Sequence, residues 1–157
     1  MMAYVFDTNA FSQLFHSYYR NRFPTLWANF DVLVANGSIT STREAFREIE
    51  DDRVAALREW AVNHRELFPA PTADEAAFVA RIFSVRHFQQ VIDQKKLYKG
   101  GKNADPFIIA RAAVTGGTVV TMESEPKNGA KIPNICRHFS IPCLSLEGFM
   151  EEEGWQF

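Results

Sequence analysis

The sequence predicts an α/β protein built on a parallel sheet, and three observations carry that prediction. Short runs such as AYVFD at 3–7 and TVVT at 118–121 are apolar or β-favouring without a break, as strands covered on both faces require. Segments of helical length, with apolar residues at helical spacing, separate these runs, and that alternation leads to parallel pairing. The chain has 157 residues, 46% of them hydrophobic and 14 of them Phe, enough for one substantial core. A length of this order sets a single domain over 1–157.

The elements follow in order. The first strand, 3–7, ends in Asp7, and Asp7-Thr8-Asn9 suits the cap of a following helix. A second helix runs over 24–36, with Pro24 at its first position and Asn36-Gly37 as its stop. GSITS at 37–41 is a second short strand, followed by a helix over 42–50 with Ala45, Phe46 and Ile49 on one side. The next helix spans 53–67, lined by Ala56, Leu57, Trp60 and Val62, and Pro69-Ala70-Pro71 breaks it. Thr72 and Glu75 form a capping box for a helix running to about 93, with Phe78, Ile82, Val85 and Ile92 on its apolar face. After a polar, glycine-bearing connection, Asp105-Pro106 opens a helix that stops at Gly116-Gly117. The strand 118–121, a helix over 132–139, a strand over 142–146 and a helix over 146–153 complete the chain.

Composition excludes several function classes. Disordered chains lack this much apolar material, and no run approaches the 18 or so apolar residues of a membrane span. The start, MMAYVFDTNAF, has no basic and apolar leader pattern, so a cytoplasmic location is expected. The formal net charge of -2 gives no global attraction for polyanions, so binding one requires a local basic patch, a metal, or both. Cys136 and Cys143 match no zinc or redox spacing and read as two reduced thiols in or near the core. His16, His64, His87 and His138 show no paired spacing either.

The informative feature is where the acids fall. Asp7 ends the first strand, Glu44 and Glu48 share a helix face after the second, Asp105 opens a helix, and Glu123 lies just past TVVT. In an open parallel sheet, ligands bind outside the carboxyl ends of the strands. Carboxylates gathered there repel, and a hard divalent cation such as Mg²⁺ or Mn²⁺, which prefers oxygen ligands, resolves the repulsion. Each acid also has a structural reading: Asp7 and Asp105 as helix caps, Glu44 and Glu48 as a solvated helix face, and Glu123 as one of two loop acids. The ordered set is more specific than any member.

These residues resemble the PIN-domain family of metal-dependent ribonucleases. The resemblance runs through YVFDTNAF at 4–11, SITSTREAFREIE at 38–50, NADPFIIARA at 103–112 and TVVTMESE at 118–125. The tail KIPNICRHFSIPCLSLEGFMEEEGW is similar to that of a PIN-like group of bacterial and archaeal proteins of unknown function, related to VapC-type toxins. The resemblance implies a three-layer α/β/α sandwich and Mg²⁺- or Mn²⁺-dependent hydrolysis of RNA phosphodiester bonds. It makes Asp7, Glu48, Asp105 and Glu123 the catalytic metal ligands, with Thr8, Asn9 and Thr121 as supporting residues. Glu44, one turn before Glu48, competes for the second acid. Glu123 departs from the Asp of many relatives by one methylene.

A toxin role, an antitoxin partner and a homodimer are further implications. Lys95, Lys96, Lys99 and Lys102, with Tyr98 among them and Arg81 and Arg86 before them, form a candidate RNA-binding patch. Tyr18, Tyr19, Arg20 and Arg22 form a second patch, and Lys127 and Lys131 a third contact. Two other readings compete. One is a PIN-like module that binds RNA or protein without cleaving. The other is a haloacid-dehalogenase-like phosphatase, against which Asn9 stands where that family has its second Asp.

Overall fold

The computed structural model describes residues 3–89 and 103–157. Among the described residues, four strands make one all-parallel sheet: β1 (Tyr4–Phe6), β2 (Ile39–Thr40), β3 (Thr118–Val120) and β4 (Cys143–Leu144), in the order β2-β1-β3-β4. Helices α1 (Thr8–Ser17), α2 (Pro24–Ala35), α3 (Arg43–Ile49) and α4 (Ala55–Asn63) come first in the chain. They are followed by α5 (Ala73–Phe83), α6 (Asp105–Thr115), α7 (Ile132–His138) and α8 (Leu146–Glu152). The class is the expected one: helices cover both faces of a parallel sheet, as in a three-layer sandwich.

Side-chain alternation along the strands separates two cores. Tyr4, Phe6 and Val120 face a cluster filled by α1, α2, α4 and α8. Val5 and Val119 face a second cluster filled by α5, α6 and α7. The first is aromatic: Phe6 lies 5.0 Å from Phe11 and 5.1 Å from Phe149, and Phe11 lies 5.4 Å from Trp60, centre to centre. The second is aliphatic, built on Ile82, Ile108, Ile109, Ile132 and Ile135. Tyr4 donates its hydroxyl to Glu153 and Trp155 packs on Phe149, so the C-terminal segment closes the aromatic side.

Helix ends follow local chemistry. Thr42, Thr72 and Ser145 cap α3, α5 and α8 by accepting a backbone N–H in the first turn. Gly116 takes φ +70° after α6, a conformation that costs glycine little. Three expectations are corrected. The helix expected over 53–67 ends at Asn63; a short 3₁₀ turn, Arg65–Leu67, follows, and Val62 is exposed. The helix expected to reach 93 ends at Phe83; helical backbone resumes over 86–89, and Ile92 lies outside the described residues. The Thr72 box is half made: Thr72 accepts the Glu75 N–H, but the Glu75 carboxylate turns inward to Arg111 at 3.2 Å. A buried carboxylate gains more from a cation than from one more backbone donor. Among the described residues, no helix is long and apolar enough to cross a membrane.

Phe6 is fully buried where β1 meets α1, α2 and α8. Phe6→Ala is therefore expected to lower the unfolding free energy by about 3–5 kcal/mol in urea titrations. A loss below about 1 kcal/mol would show that the aromatic layer repacks around the void.

Candidate metal centre

The chain leaves β1 to one side, through β2, and returns on the other, to β3, so the strand order reverses between β1 and β3. A crevice opens at the carboxyl ends of the strands at such a switch point. Asp7 ends β1 there and caps α1, its Oδ1 accepting the Thr8 N–H at 2.8 Å. Its Oδ2 accepts the Thr121 hydroxyl at 2.9 Å, and Thr121 follows β3, the neighbouring strand. Two residues on, Glu123 donates its N–H to the Thr121 oxygen at 3.2 Å. Its Oε1 accepts the Ile132 N–H of α7 at 3.3 Å. Asp105 enters from the first turn of α6, 2% exposed. One carboxylate oxygen each from Asp7, Asp105 and Glu123 lie within 4.8 Å of one another.

Supporting residues hold these carboxylates in place. Asn9 accepts the Met122 N–H at 3.0 Å, tying the loop after β3 to α1. Glu48, from α3, accepts the Thr8 hydroxyl at 2.8 Å and the Ala104 N–H at 3.0 Å, binding the starts of α1 and α6 together. It lines the same cleft as Asp7 and Glu123, a space of about 370 Å³, but stands outside the converging trio. A larger cavity, about 810 Å³, lies at the opposite strand ends beside Ala3, Gly37 and Thr115, away from these acids.

The electrostatics of the cleft are those of crowded anions. The Asp7 carboxyl titrates well above the usual carboxylate range. Burial is the main cause, followed by the charges of Asp105, Glu123 and Glu48, while the Thr121 hydrogen bond opposes the shift. Among the described residues, every charged group that acts on Asp7 is thus another acid. An oxygen-only donor set with excess negative charge fits a hard divalent cation and does not fit a softer, nitrogen- or sulfur-seeking one.

Sequence expectations divide accordingly. Asp7, Asp105, Glu123, Thr8, Asn9 and Thr121 are brought together. Glu48 joins the cleft and Glu44 does not: Glu44 turns to Arg43 at 2.9 Å. The cap reading of Asp105 is corrected, because Ala104 occupies the cap position and makes no side-chain bond, while Asp105 sits inside the first turn. Asp7 does cap α1, so one residue serves both readings. Ser12, Asp51 and Asp52 also line the cleft and went unrecognised. The acidic run Glu48-Ile49-Glu50-Asp51-Asp52 was the available signal.

Lys95, Lys96, Tyr98, Lys99 and Lys102 lie outside the described residues. In the second patch, Arg20 is engaged by Asp31 at 2.9 Å and lies over Trp27, while Tyr19 is exposed. Arg81 lies over Phe78 and Phe139.

The model of a family described as a domain of unknown function, DUF4411, matches residues 4–157. The chain belongs to the DUF4411 family. The match takes in every acid of the cleft, so the centre lies wholly within the DUF4411 domain. No curated protein and no solved structure matches the chain.

The Asp7 shift has a stability consequence with a definite sign. A carboxyl whose folded titration point lies above its unfolded one favours the fold when protonated; that contribution is lost as pH rises through the folded value. Asp7→Asn in metal-free protein is therefore expected to stabilise, increasingly as pH rises towards neutral. The gain is on the order of 1 kcal/mol, or about 2–4 °C in Tm by calorimetry. Mn²⁺ is expected to raise the Tm of the parent more than that of the variant. A variant no more stable than its parent at neutral pH would contradict the crowded-anion reading.

Proposed function

We propose that this DUF4411 chain is a divalent-metal-dependent endoribonuclease of the PIN type, using Mg²⁺ or Mn²⁺. The observation that carries the reading is the convergence of Asp7, Asp105 and Glu123 at the β1/β3 switch point. The order of these acids along the chain, with Thr8, Asn9 and Thr121 around them, is what the PIN resemblance asks for. The longer side chain at Glu123 does not keep that residue out of the trio, because the Ile132 N–H clips its Oε1.

On this reading Asp7, Asp105 and Glu123 hold the ion. When bound, it supplies Lewis-acid stabilisation of the charge that develops on a phosphoryl oxygen. The chain's own residues do the positioning. Thr121 orients Asp7 through Oδ2 and receives the Glu123 N–H, so one hydroxyl aligns two acids. Glu48 fixes the entries of α1 and α6, which keeps Asp105 opposite Asp7. Carboxylates in this role act as ligands and not as nucleophiles, which favours hydrolysis over a covalent phospho-aspartate. Asn9 is spent on the Met122 N–H, leaving no second acid for the phosphatase alternative.

Purified protein is to be incubated with a mixed RNA pool in Mg²⁺, in Mn²⁺ and in EDTA. Cleavage is expected only with metal. Asp7→Asn, Asp105→Asn and Glu123→Gln are expected to abolish it, and Thr121→Val to reduce it by about 10–100-fold. Cleavage that survives Asp7→Asn and Asp105→Asn would assign the activity to a contaminant. Mn²⁺ binding without cleavage of any RNA would favour the binding-module alternative.

A further inference from the structure

Cys136 and Cys143 match no sequence motif, yet the fold brings them together. Cys136 is buried on α7, and Cys143 is half-buried on β4, the strand at the sheet edge. Ser140 takes φ +58° and the Ile141 N–H returns to the Cys136 carbonyl at 2.8 Å, turning the chain back on itself. Cys143 then packs against the cluster that contains Cys136. Both side chains thus lie in one apolar cluster, on adjoining elements. Each also shifts the other: Cys136 holds the Cys143 thiol below its ordinary titration range, against burial and the charges of Glu125 and Glu123, while Cys143 and burial push Cys136 up. A more accessible, more acidic thiol beside a buried partner is the arrangement of an attacking and a resolving cysteine.

Both elements also carry the metal centre. Ile132, at the start of α7, supplies the N–H that holds Glu123. Leu144, next to Cys143, supplies the carbonyl that accepts the Thr121 N–H at 3.0 Å, and Thr121 holds Asp7. Both cysteines are free thiols, and a disulfide draws two sulfurs to about 2.05 Å, well inside non-bonded contact, so α7 or β4 must shift when it forms.

We propose that Cys136 and Cys143 are a peroxide-responsive dithiol that closes to an intrachain disulfide and thereby loosens the hold of α7 and β4 on the acidic cleft. The Cys143 thiolate attacks the peroxide O–O bond, takes one oxygen to become a sulfenic acid, and releases hydroxide. The Cys136 sulfur then attacks the sulfenic sulfur, forming the S–S bond, and the Cys136 proton leaves with the sulfenic hydroxyl as water; the hydroxide of the first step takes up the proton that Cys143 lost on ionising. Two thiols and one peroxide give one disulfide and two waters, and a dithiol reductant reverses the change. The effect on the cleft rests on the metal reading proposed above, whereas the thiol chemistry does not.

The experiment treats the full chain with stoichiometric hydrogen peroxide, alkylates, and measures intact mass. The expected result is a monomer that loses two hydrogens and both alkylatable thiols. Cys136→Ser is expected to stop at a Cys143 sulfenic acid trapped by dimedone, and Cys143→Ser to leave Cys136 unreactive. Persistence of both free thiols, or disulfides only between chains, would overturn the proposal, as would faster oxidation of Cys136 than of Cys143. Mn²⁺ titration is the second readout: oxidised protein is expected to bind about 10-fold more weakly, restored by dithiothreitol. A disulfide that leaves Mn²⁺ affinity unchanged would overturn the coupling. Reduced protein that binds no Mn²⁺ would instead sink the metal reading while the mass result stands.

Discussion

Mutual repulsion among carboxylates at the end of β1 is the constraint around which the rest of this structure is arranged. Asp7 is buried and feels the charges of Asp105, Glu123 and Glu48. Such a cluster costs stability in the metal-free fold and persists only where the surroundings over-determine it. Here they do. Thr8 N–H and the Thr121 hydroxyl hold both oxygens of Asp7, the Ile132 N–H holds Glu123, and the Ala104 N–H and Thr8 hydroxyl hold Glu48. Each of these donors is neutral, so these bonds orient the acids without neutralising them.

Such orientation requires rigid anchors, which the two cores provide. The aromatic cluster locks α1, which carries Thr8 and Asn9, against β1. The aliphatic cluster locks α6 and α7, which carry Asp105 and the Glu123 clip. The parallel sheet sets the strand ends side by side, so Asp7 and Thr121 become neighbours although 114 residues separate them. Close packing makes each layer stiff and transmits small displacements. The proposed covalent change between α7 and β4 would be carried to the acids by that stiffness.

Much of this was legible locally. Strands β1 and β3 announce themselves by unbroken apolar runs, and the starts of α2, α3 and α5 by Pro24, Thr42 and Thr72. Errors arose where a distant partner outbid a local one. Glu75 belongs to a capping motif in sequence but pairs with Arg111, 36 residues away. Asp105 has the look of a cap, yet its side chain is recruited to the cleft. Glu44 and Glu48 share one helix face, and only the approach of α1 and α6 tells them apart.

The sequence by itself determined the α/β class, the order of the elements and the identity of the acids, because periodicity, capping and residue type are local properties. Tertiary structure decided which acids converge, which merely bracket the cleft, and that two cysteines with no motif spacing pack into one core. Those outcomes depend on how separate strands and helices register across the sheet. Registry is set by the summed packing of both cores, and no short stretch of sequence records it.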